Sequence, residues 1–539
     1  GGYFDILPLR LGALLLIFVL FPAWVEIQAQ VPQNFPGSSR GGGSSTPRTL
    51  DEPEEPDTIP VFYFYADNPN LEIPFSDTLL HQYFHQFDPV RKGDIDYANL
   101  GIFGSPYQSL LYESTDRLGF DVGLHQYDIY FTPALQLPFY RLGKAFSNLY
   151  YTQGSTQSDA NAGAEFSRNF ANGLNFSLDY DRISQLGSQE QYPNQNTRVT
   201  AIAFGMWYQS QSGKYDGFFS YAANTAEQEE NGGIEVEPVL NEEFGDIGAS
   251  QVFLDDAQSR QSHRELAYTH YYRMGGKPDS LKGFTRAYTL SHQVLYNASI
   301  YKFFDNTPIP DTSYYKQFLV DIRGVRHFLK HKKIENSLRL STFKLDKSSR
   351  AKNQRDLLEL GLRHSHHILR QEPRDSILNN LFAYGKLRLN LNNKFLLNTY
   401  AHLGLWDNAG DFRIEGDLEL DFKKFGNLKI SAVNQLYSPT LIQQRFYVSQ
   451  RKIWDNDFGK TLESRLSATY SLPKIQLEVT GSYHLINNYI YFDTLAVPRQ
   501  TGLPINILQL TVKKNFRVGP IHLDNVLSLQ NVSESFIRL

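Results

Sequence analysis

The 539-residue chain contains no cysteine. That excludes disulfide frameworks, thiolate metal sites and cysteine nucleophiles at once. Basic excess is also missing: 52 Lys and Arg stand against 57 Asp and Glu, for a net charge of -5 and a pI near 6.3. Such a balance gives no electrostatic footprint for nucleic acid. Long hydrophobic runs are scarce as well. The run from Leu11 to Phe21 falls short of the ~20 apolar residues needed to span a bilayer as a helix. With 41% hydrophobic residues and a mean hydropathy of -0.40, the chain does not read as a polytopic helical membrane protein.

What the sequence does hold is aromatic side chains, 14% of the total with 33 Tyr and 38 Phe, and a two-faced alternation. In Gly173 to Ile183, Leu174, Phe176, Leu178 and Tyr180 fall on one parity and Asn175, Ser177, Asp179 and Asp181 on the other. Period two is the mark of a strand with one greasy and one wet face. The pattern recurs where Leu387, Leu389 and Leu391 alternate with Lys386, Arg388, Asn390 and Asn392, and where Phe412, Ile414, Leu418 and Leu420 alternate with Arg413, Glu415, Asp417 and Glu419. It returns through Leu462 to Leu472 and Ile475 to Val479. A soluble sandwich turns its apolar face inward, whereas a membrane barrel turns it to lipid. Modest hydropathy with many aromatics favours the barrel, whose interfacial girdles use such residues.

In chain order, Arg10, the short apolar run and small residues around Ala29 read as a secretory signal over residues 1–29. The chain opens on Gly1, so its start is expected to lie upstream. Residues 30–58 are Pro, Gly, Ser and acidic residues, a composition that cannot offset its ordering entropy and reads as a tether. Residues 59–142 mix a short strand at Val61 to Tyr65, a helical turn capped by Ser76 and irregular Gly- and Pro-bearing stretches. We read them as a lead-in or plug-like segment. From 143 to 539 strand signals recur, giving an all-β, antiparallel transmembrane barrel of roughly 16–20 strands. Phe318 to His327, Ser337 to Lys344 and Phe446 to Trp454 are among the expected strands. The polar stretch Glu227 to Ser262 reads as an external loop with a helical turn near Phe253. Because an open barrel would expose backbone to lipid, the closing strands are expected to lie beyond Leu539.

The motifs Asp88-Pro89, Tyr97-Ala-Asn-Leu-Gly-x-x-Gly-Ser105, Gly119-Phe-Asp-Val-Gly123, Tyr127-Asp-Ile-Tyr130, Pro138-Phe-Tyr140 and Asn148-Leu-Tyr-Tyr-Thr-Gln-Gly154 resemble those of the putative porin family of Bacteroidetes outer membranes. The likeness covers the chain from about Asp88 onward. It implies a β-barrel in the outer membrane of a Gram-negative bacterium.

Candidate chemistry is sparse. His364 and His366 share a strand face but bring no third metal ligand at a diagnostic spacing. Gly37-x-Ser39-x-Gly41 lies in the tether, without the strand and helix of a nucleophile elbow. Gly101 and Gly104 are followed by no Lys-Ser or Lys-Thr and so make no phosphate loop. We therefore expect no enzyme and no cofactor. The wet parity supplies pore-lining candidates instead: Asp179, Asp181, Lys386, Arg388, Arg413, Glu415, Asp417 and Glu419. The expected function is passive diffusion of small hydrophilic solutes through a barrel whose partners are those solutes and outer-membrane lipid, with self-association left open. The rivals are a plugged barrel working as an active transporter or export subunit, a barrel enzyme, and a soluble secreted sandwich.

Overall fold

The alternation is realised as strands throughout. In the computed structural model the described residues are 61–534, apart from 70, 76–86, 94, 96, 155–157, 187–192, 234–251, 275–283, 307–313, 317–318, 347–356, 392–393 and 520. The signal, the tether, the turn capped by Ser76 and the last residues, 535–539, lie outside them. Five short strands open the fold: β1 (Phe62–Tyr65), β2 (Ile73–Pro74), β3 (Tyr97–Asn99), β4 (Tyr107–Ser109) and β5 (Pro138–Arg141). Longer strands follow as β6 (Phe146–Gln153), β7 (Ala160–Asn169), β8 (Leu174–Gln185), β9 (Thr197–Gln209), β10 (Tyr215–Glu230), β11 (Ala257–Met274), β12 (Phe284–Asp305) and β13 (Val325–Asp346). Next come β14 (Leu357–Gln371), β15 (Arg374–Leu391), β16 (Phe395–Gly404), β17 (Phe412–Asp421) and β18 (Asn427–Tyr437). A hairpin of β19 (Arg445–Val448) and β20 (Arg451–Asp455) precedes β21 (Thr461–Leu472) and β22 (Leu477–Asn487). A second hairpin, β23 (Ile490–Phe492) and β24 (Pro498–Gln500), precedes β25 (Ile505–Val518) and β26 (Ile521–Val532).

Seventeen strands, β6 to β18 with β21, β22, β25 and β26, form one β-barrel in which chain neighbours pair antiparallel. Its outer face is apolar. On β13, Ile334, Leu338 and Leu340 are exposed while Glu335, Ser337 and Arg339 of the opposite parity are buried. Across the register, Leu340 stands opposite Leu360 and Leu338 opposite Leu362, and both partners are exposed. Tyr272, Tyr288 and Tyr296 extend this exposed surface over β11 and β12. A continuous apolar exterior over a polar interior inverts a soluble sandwich and matches a wall standing in lipid. No helix among the described residues is long and apolar enough to cross a membrane.

Some strands run well beyond the bilayer. The 22 residues of β13 extend for roughly 70 Å at ~3.3 Å each, about twice the ~10 residues that span. Phe318 to His327 and Ser337 to Lys344 therefore do not form separate strands: β13 begins at Val325 and runs unbroken through both the later part of the first stretch and the second. Phe446 to Trp454 is no barrel strand either. It turns back on itself as β19 and β20, because Ser449 and Gln450 both take the left-handed conformation, with φ of 45° and 65°, that a two-residue hairpin turn requires. The expected loop from Glu227 to Ser262 is largely strand at its ends, since the β10–β11 register continues to Glu230 opposite Ala257. Phe253 sits in a bend, not a helical turn.

The connections are unequal at the two rims. Residues 170–173, 210–214, 422–426 and 473–476 make tight links at one rim, whereas 231–256, 306–324, 438–460 and 488–504 belong to the other. The segment preceding β6 occupies the barrel's interior. Phe64, Leu137 and Phe139 pack on Ala203, Trp207, Phe218 and Ala267. Tyr127 and Tyr130 pack on Ile183, Val199 and Ala226, while Phe120 and Val122 meet Leu329 and Leu369. On the remaining wall, Tyr112 meets Ile486, Ile505 and Ile507.

One prediction tests which face is lipid-bound. Leu360→Arg places a charge on the exposed apolar face. It should lower stability in lipid or detergent micelles by about 2–4 kcal/mol if Leu360 is near the bilayer midplane, read as a shift of the urea or guanidinium unfolding midpoint. An unchanged midpoint would contradict the assignment of that face.

Candidate functional site

The interior is organised by hydrogen bonds from wall side chains to the backbone of the N-terminal segment. That segment has little regular structure, so its buried amides and carbonyls need partners from elsewhere. Wall residues provide them. Asn161 Nδ2 donates to Phe87 O at 2.8 Å, and Gln185 Oε1 accepts from Phe103 N at 2.6 Å. Asn224 both accepts from Thr132 N and donates to Thr132 O, each at 3.1 Å. Glu265 accepts from Ala134 N at 2.8 Å. On the facing wall Gln530 accepts from Tyr112 N and Gln509 donates to Tyr112 O, both at 2.8 Å.

The strongest anchor is ionic. Arg339 on β13, only 5% exposed, holds Asp67 of the segment through Nη1 at 2.7 Å. Its Nη2 donates to the Tyr271 hydroxyl at 2.9 Å and its Nε to Ser291 at 3.1 Å. The Tyr271 hydroxyl donates to the carbonyls of Ala66 and Asp67 at 2.7 and 2.9 Å. A planar guanidinium with several fixed donors suits this multiple grip. Burial pushes the Asp67 carboxyl up, but Arg339, Lys386 and Arg363 more than offset this and hold it below its ordinary value. About half of the Asp67 side chain remains exposed to the cavity, so water screens the pair in part.

Beside this anchor, a cavity of about 550 Å³ opens along β13 to β18. It brings together five of the expected pore-lining residues: Lys386, Arg388, Glu415, Asp417 and Glu419. They are largely paired across the wall. Lys386 lies 3.7 Å from Glu359, Arg388 donates to Asn398 at 2.7 Å, and Lys429 reaches Asp417 and Glu419 at 3.9 and 3.8 Å. An adjoining cavity of about 350 Å³ adds Asp116, Arg363, Tyr384 and Arg413.

Arg413 has a different position from the others. It is only 6% exposed, donates to Thr115 O and to Gln435 Oε1 at 2.8 Å each, and pairs with Glu415 at 2.8 Å. Gln435 in turn donates to Thr115 O at 2.9 Å and to Glu463 at 2.9 Å. Asp179 and Asp181 lie apart on β8, where Asp179 accepts from Thr132 at 3.4 Å and Asp181 accepts from Tyr150. The inward amides, together with Asp67 and Arg339, were absent from the expected set. Their signal was present as Asn and Gln on the wet parity of successive strands.

Near the other end of the interior, segment and wall close together. Gly119, at φ +76°, lies so near Asn380 and Phe382 that a Cβ there would come within 2.6 and 2.8 Å of their side chains. Just beyond it, Leu441 N and Ile442 N of the 438–460 connection donate to Asp121 O and Val122 O at 2.9 and 3.1 Å. His125 bonds to Asp121 and Asp128 at 3.0 and 2.7 Å, and these carboxylates raise its pKa to about 10.

His364 and His366 lie on the outer parity of β14, while His367 faces inward against His331 at 3.0 Å. No group of three or more metal-ligating residues occurs among the described residues.

The fold is thus a strand-walled membrane barrel with a charged, internally occupied lumen. Residues 62–539 match the family described as putative porin, and the chain belongs to that family. No curated protein matches the sequence. Among solved structures it is similar to the siderophore receptor PirA from Acinetobacter baumannii, at 10% identity and a TM-score of 0.46 over 72% of this chain and 62% of that one. It is similar to a mutant of the ferric enterobactin receptor PfeA from Pseudomonas aeruginosa, at 10% identity and 0.46 over 73% and 62%. The FrpB iron transporter from Neisseria meningitidis gives 11% and 0.45 over 74% and 65%. The chain therefore spans less than two thirds of the length of these receptors.

Two predictions follow from the anchors. Gln435→Leu leaves the Thr115 carbonyl and Arg413 short of a partner, and should loosen the segment by about 1–3 kcal/mol, seen as faster hydrogen exchange across residues 112–120. Because the Asp67 pKa is depressed, its contribution is full above the unfolded value of roughly pH 4 and is lost as pH falls through the folded value. Exchange around residues 62–69, corrected for intrinsic rates, should therefore rise on acidification below about pH 4, and Asp67→Asn should remove that component.

Proposed function

We propose that this chain sits in a bacterial outer membrane and passes small hydrophilic solutes across it, with the segment before β6 serving as a plug that must shift before solute moves. The observation that carries this reading is the occupied lumen: wall side chains on many strands hold the described residues of 61–142 inside the barrel, and segment and wall close together where Gly119 meets Asn380 and Phe382, none of which lines the cavities around Glu415. Of the two transport readings open from sequence, the plugged one suits this geometry better than free diffusion.

The unequal rims suggest an orientation. Tight turns face the periplasm and long connections the exterior in barrels of this kind, so the charged vestibule would open toward the periplasm. Lipid is the partner of the outer face and the solute that of the inner one. The work is displacement of a plug held by ion pairs and amides, with no bond made or broken.

Single-channel recording in planar bilayers tests this. The intact protein should pass little current at rest, and the double variant Asp67→Ala with Gln435→Leu should open more often and for longer. Steady ohmic current through the intact protein, unchanged in the variant, would contradict the plug and favour passive diffusion.

A further inference from the structure

The outer wall bears an open groove of about 750 Å³ over β14 to β18. Residues of the outward parity line most of it, among them Leu358, Gly385, Ala401, Ile414, Gly416 and Ala432. Lys386 and Glu415 also border it, but their side chains turn inward to Glu359 and Arg413. The groove exists because small residues stand between large ones. A Cβ added at Gly416 would meet nothing within 4 Å, while Ile414 beside it and Leu466 opposite Ala432 are strongly exposed. Asn434 and Ser464, which line the end away from the short turns, bond to each other at 2.6 Å. What remains is an apolar trough in a wall that stands in lipid.

A second feature crowns this trough at the rim of short turns. Lys394 precedes β16, Lys423 and Lys424 lie between β17 and β18, and Lys474 lies between β21 and β22, strands that adjoin in the barrel. All four lysines are exposed. Nearby carboxylates are already engaged: Lys429 reaches Asp417 and Glu419, Lys513 holds Glu478 at 3.2 Å, and Asp421 accepts from Lys423 N at 2.6 Å. Among the described residues none of the four lysines forms an ion pair. Phe395, Phe422 and Phe425 are exposed between them. Lys424 Nζ lies 5.1 Å from the centre of the Phe425 ring, and the Tyr470 hydroxyl, from the outer face of β21, donates to Phe425 O. Amphipathic rings and cations at one level mark a membrane–water boundary.

The two features are spaced to serve one molecule. From Gly416, opposite Ala432, to Asp421, opposite Asn427, the wall runs roughly 17 Å at ~3.4 Å per residue. That is close to the ~15 Å of hydrocarbon in one leaflet. Cations at the rim, aromatic rings below them and an apolar trough at leaflet depth match, in order, a phosphate, an ester region and an acyl chain. We propose that the outer wall of β15 to β18 binds an anionic glycerophospholipid of the periplasmic leaflet, with its phosphate on Lys423 and Lys424 and one acyl chain in the groove over Gly416 and Ala432. An anionic headgroup is selected because the surplus charge at these turns is positive and leaves little to hold a choline or ethanolamine cation. The inference rests on the reading above only for the leaflet, through the orientation of the rims.

The test is native mass spectrometry of the full chain refolded in detergent, with phosphatidylglycerol, phosphatidylcholine of the same chains and lipid A as probes. Phosphatidylglycerol should be retained about tenfold better than phosphatidylcholine. Lys423→Gln with Lys424→Gln should remove most of that preference. Gly416→Leu fills the groove at a position free of steric contact and should weaken phosphatidylglycerol retention by a similar factor, while circular dichroism keeps the strand signal in every variant. Equal retention of the two phospholipids, tighter binding of lipid A, a preference that survives loss of both lysines, or retention indifferent to Gly416→Leu would overturn the proposal. Current that behaves as a plugged barrel requires, with no preference among lipids, would remove this inference alone. The expected preference in a protein whose current is open and unchanged by anchor variants would keep this inference and remove the plug.

Discussion

The structure depends on hydrogen bonds between the barrel's inward side chains and an irregular backbone within it. A segment whose regular structure is limited to short strands and single helical turns carries many amides and carbonyls that cannot be buried unpaired. Asn161, Gln185, Asn224, Glu265, Arg413, Gln435, Gln509 and Gln530 meet that need from eight different strands. Because the partners come from so many strands, the segment is fixed to the wall as a whole and resists loss of one contact. The same side chains gain partners that a water-filled lumen would otherwise supply.

Packing and polarity divide the interior. Where the segment presses closest, the wall offers small residues: Ala201, Ala203, Ala222, Ala226 and Ala267 are all nearly fully buried. Where it stands off, the wall carries Lys386, Arg388, Glu415, Asp417 and Glu419 around open space. Aromatic residues of the segment fill the first region, and ion pairs across the strands brace the second. The outer face answers to a separate constraint, lipid contact, and its leucines and tyrosines follow the opposite parity with little reference to what lies inside.

Much of the wall was legible because period two is local. Leu174 to Tyr180 declares both its strand and its outer face within a few residues, and the charged parity of β15 and β17 located one cavity. What sequence did not reveal has physical causes. Lys330 to Glu335 interrupts the apolar alternation of β13, so one strand read as two. Ser449 and Gln450 make a tight turn without the Asn-Gly signature, so β19 and β20 read as one strand. Asp67 and Arg339, 272 residues apart, form a pair that no local pattern announces. The role of the amides depended on knowing that a chain lay inside the barrel, and Arg413, which lines the smaller cavity, also holds that chain through the Thr115 carbonyl.

The central claim is that the segment separates a vestibule on one side of the membrane from the space on the other. The chain has no cysteine, so Glu419→Cys introduces a single reactive thiol in the vestibule. In oriented proteoliposomes, a membrane-impermeant maleimide should label it rapidly from the rim of short turns and slowly or not at all from the rim of long connections. Equal labelling from both rims would contradict the account, because it would require an open path past Gly119.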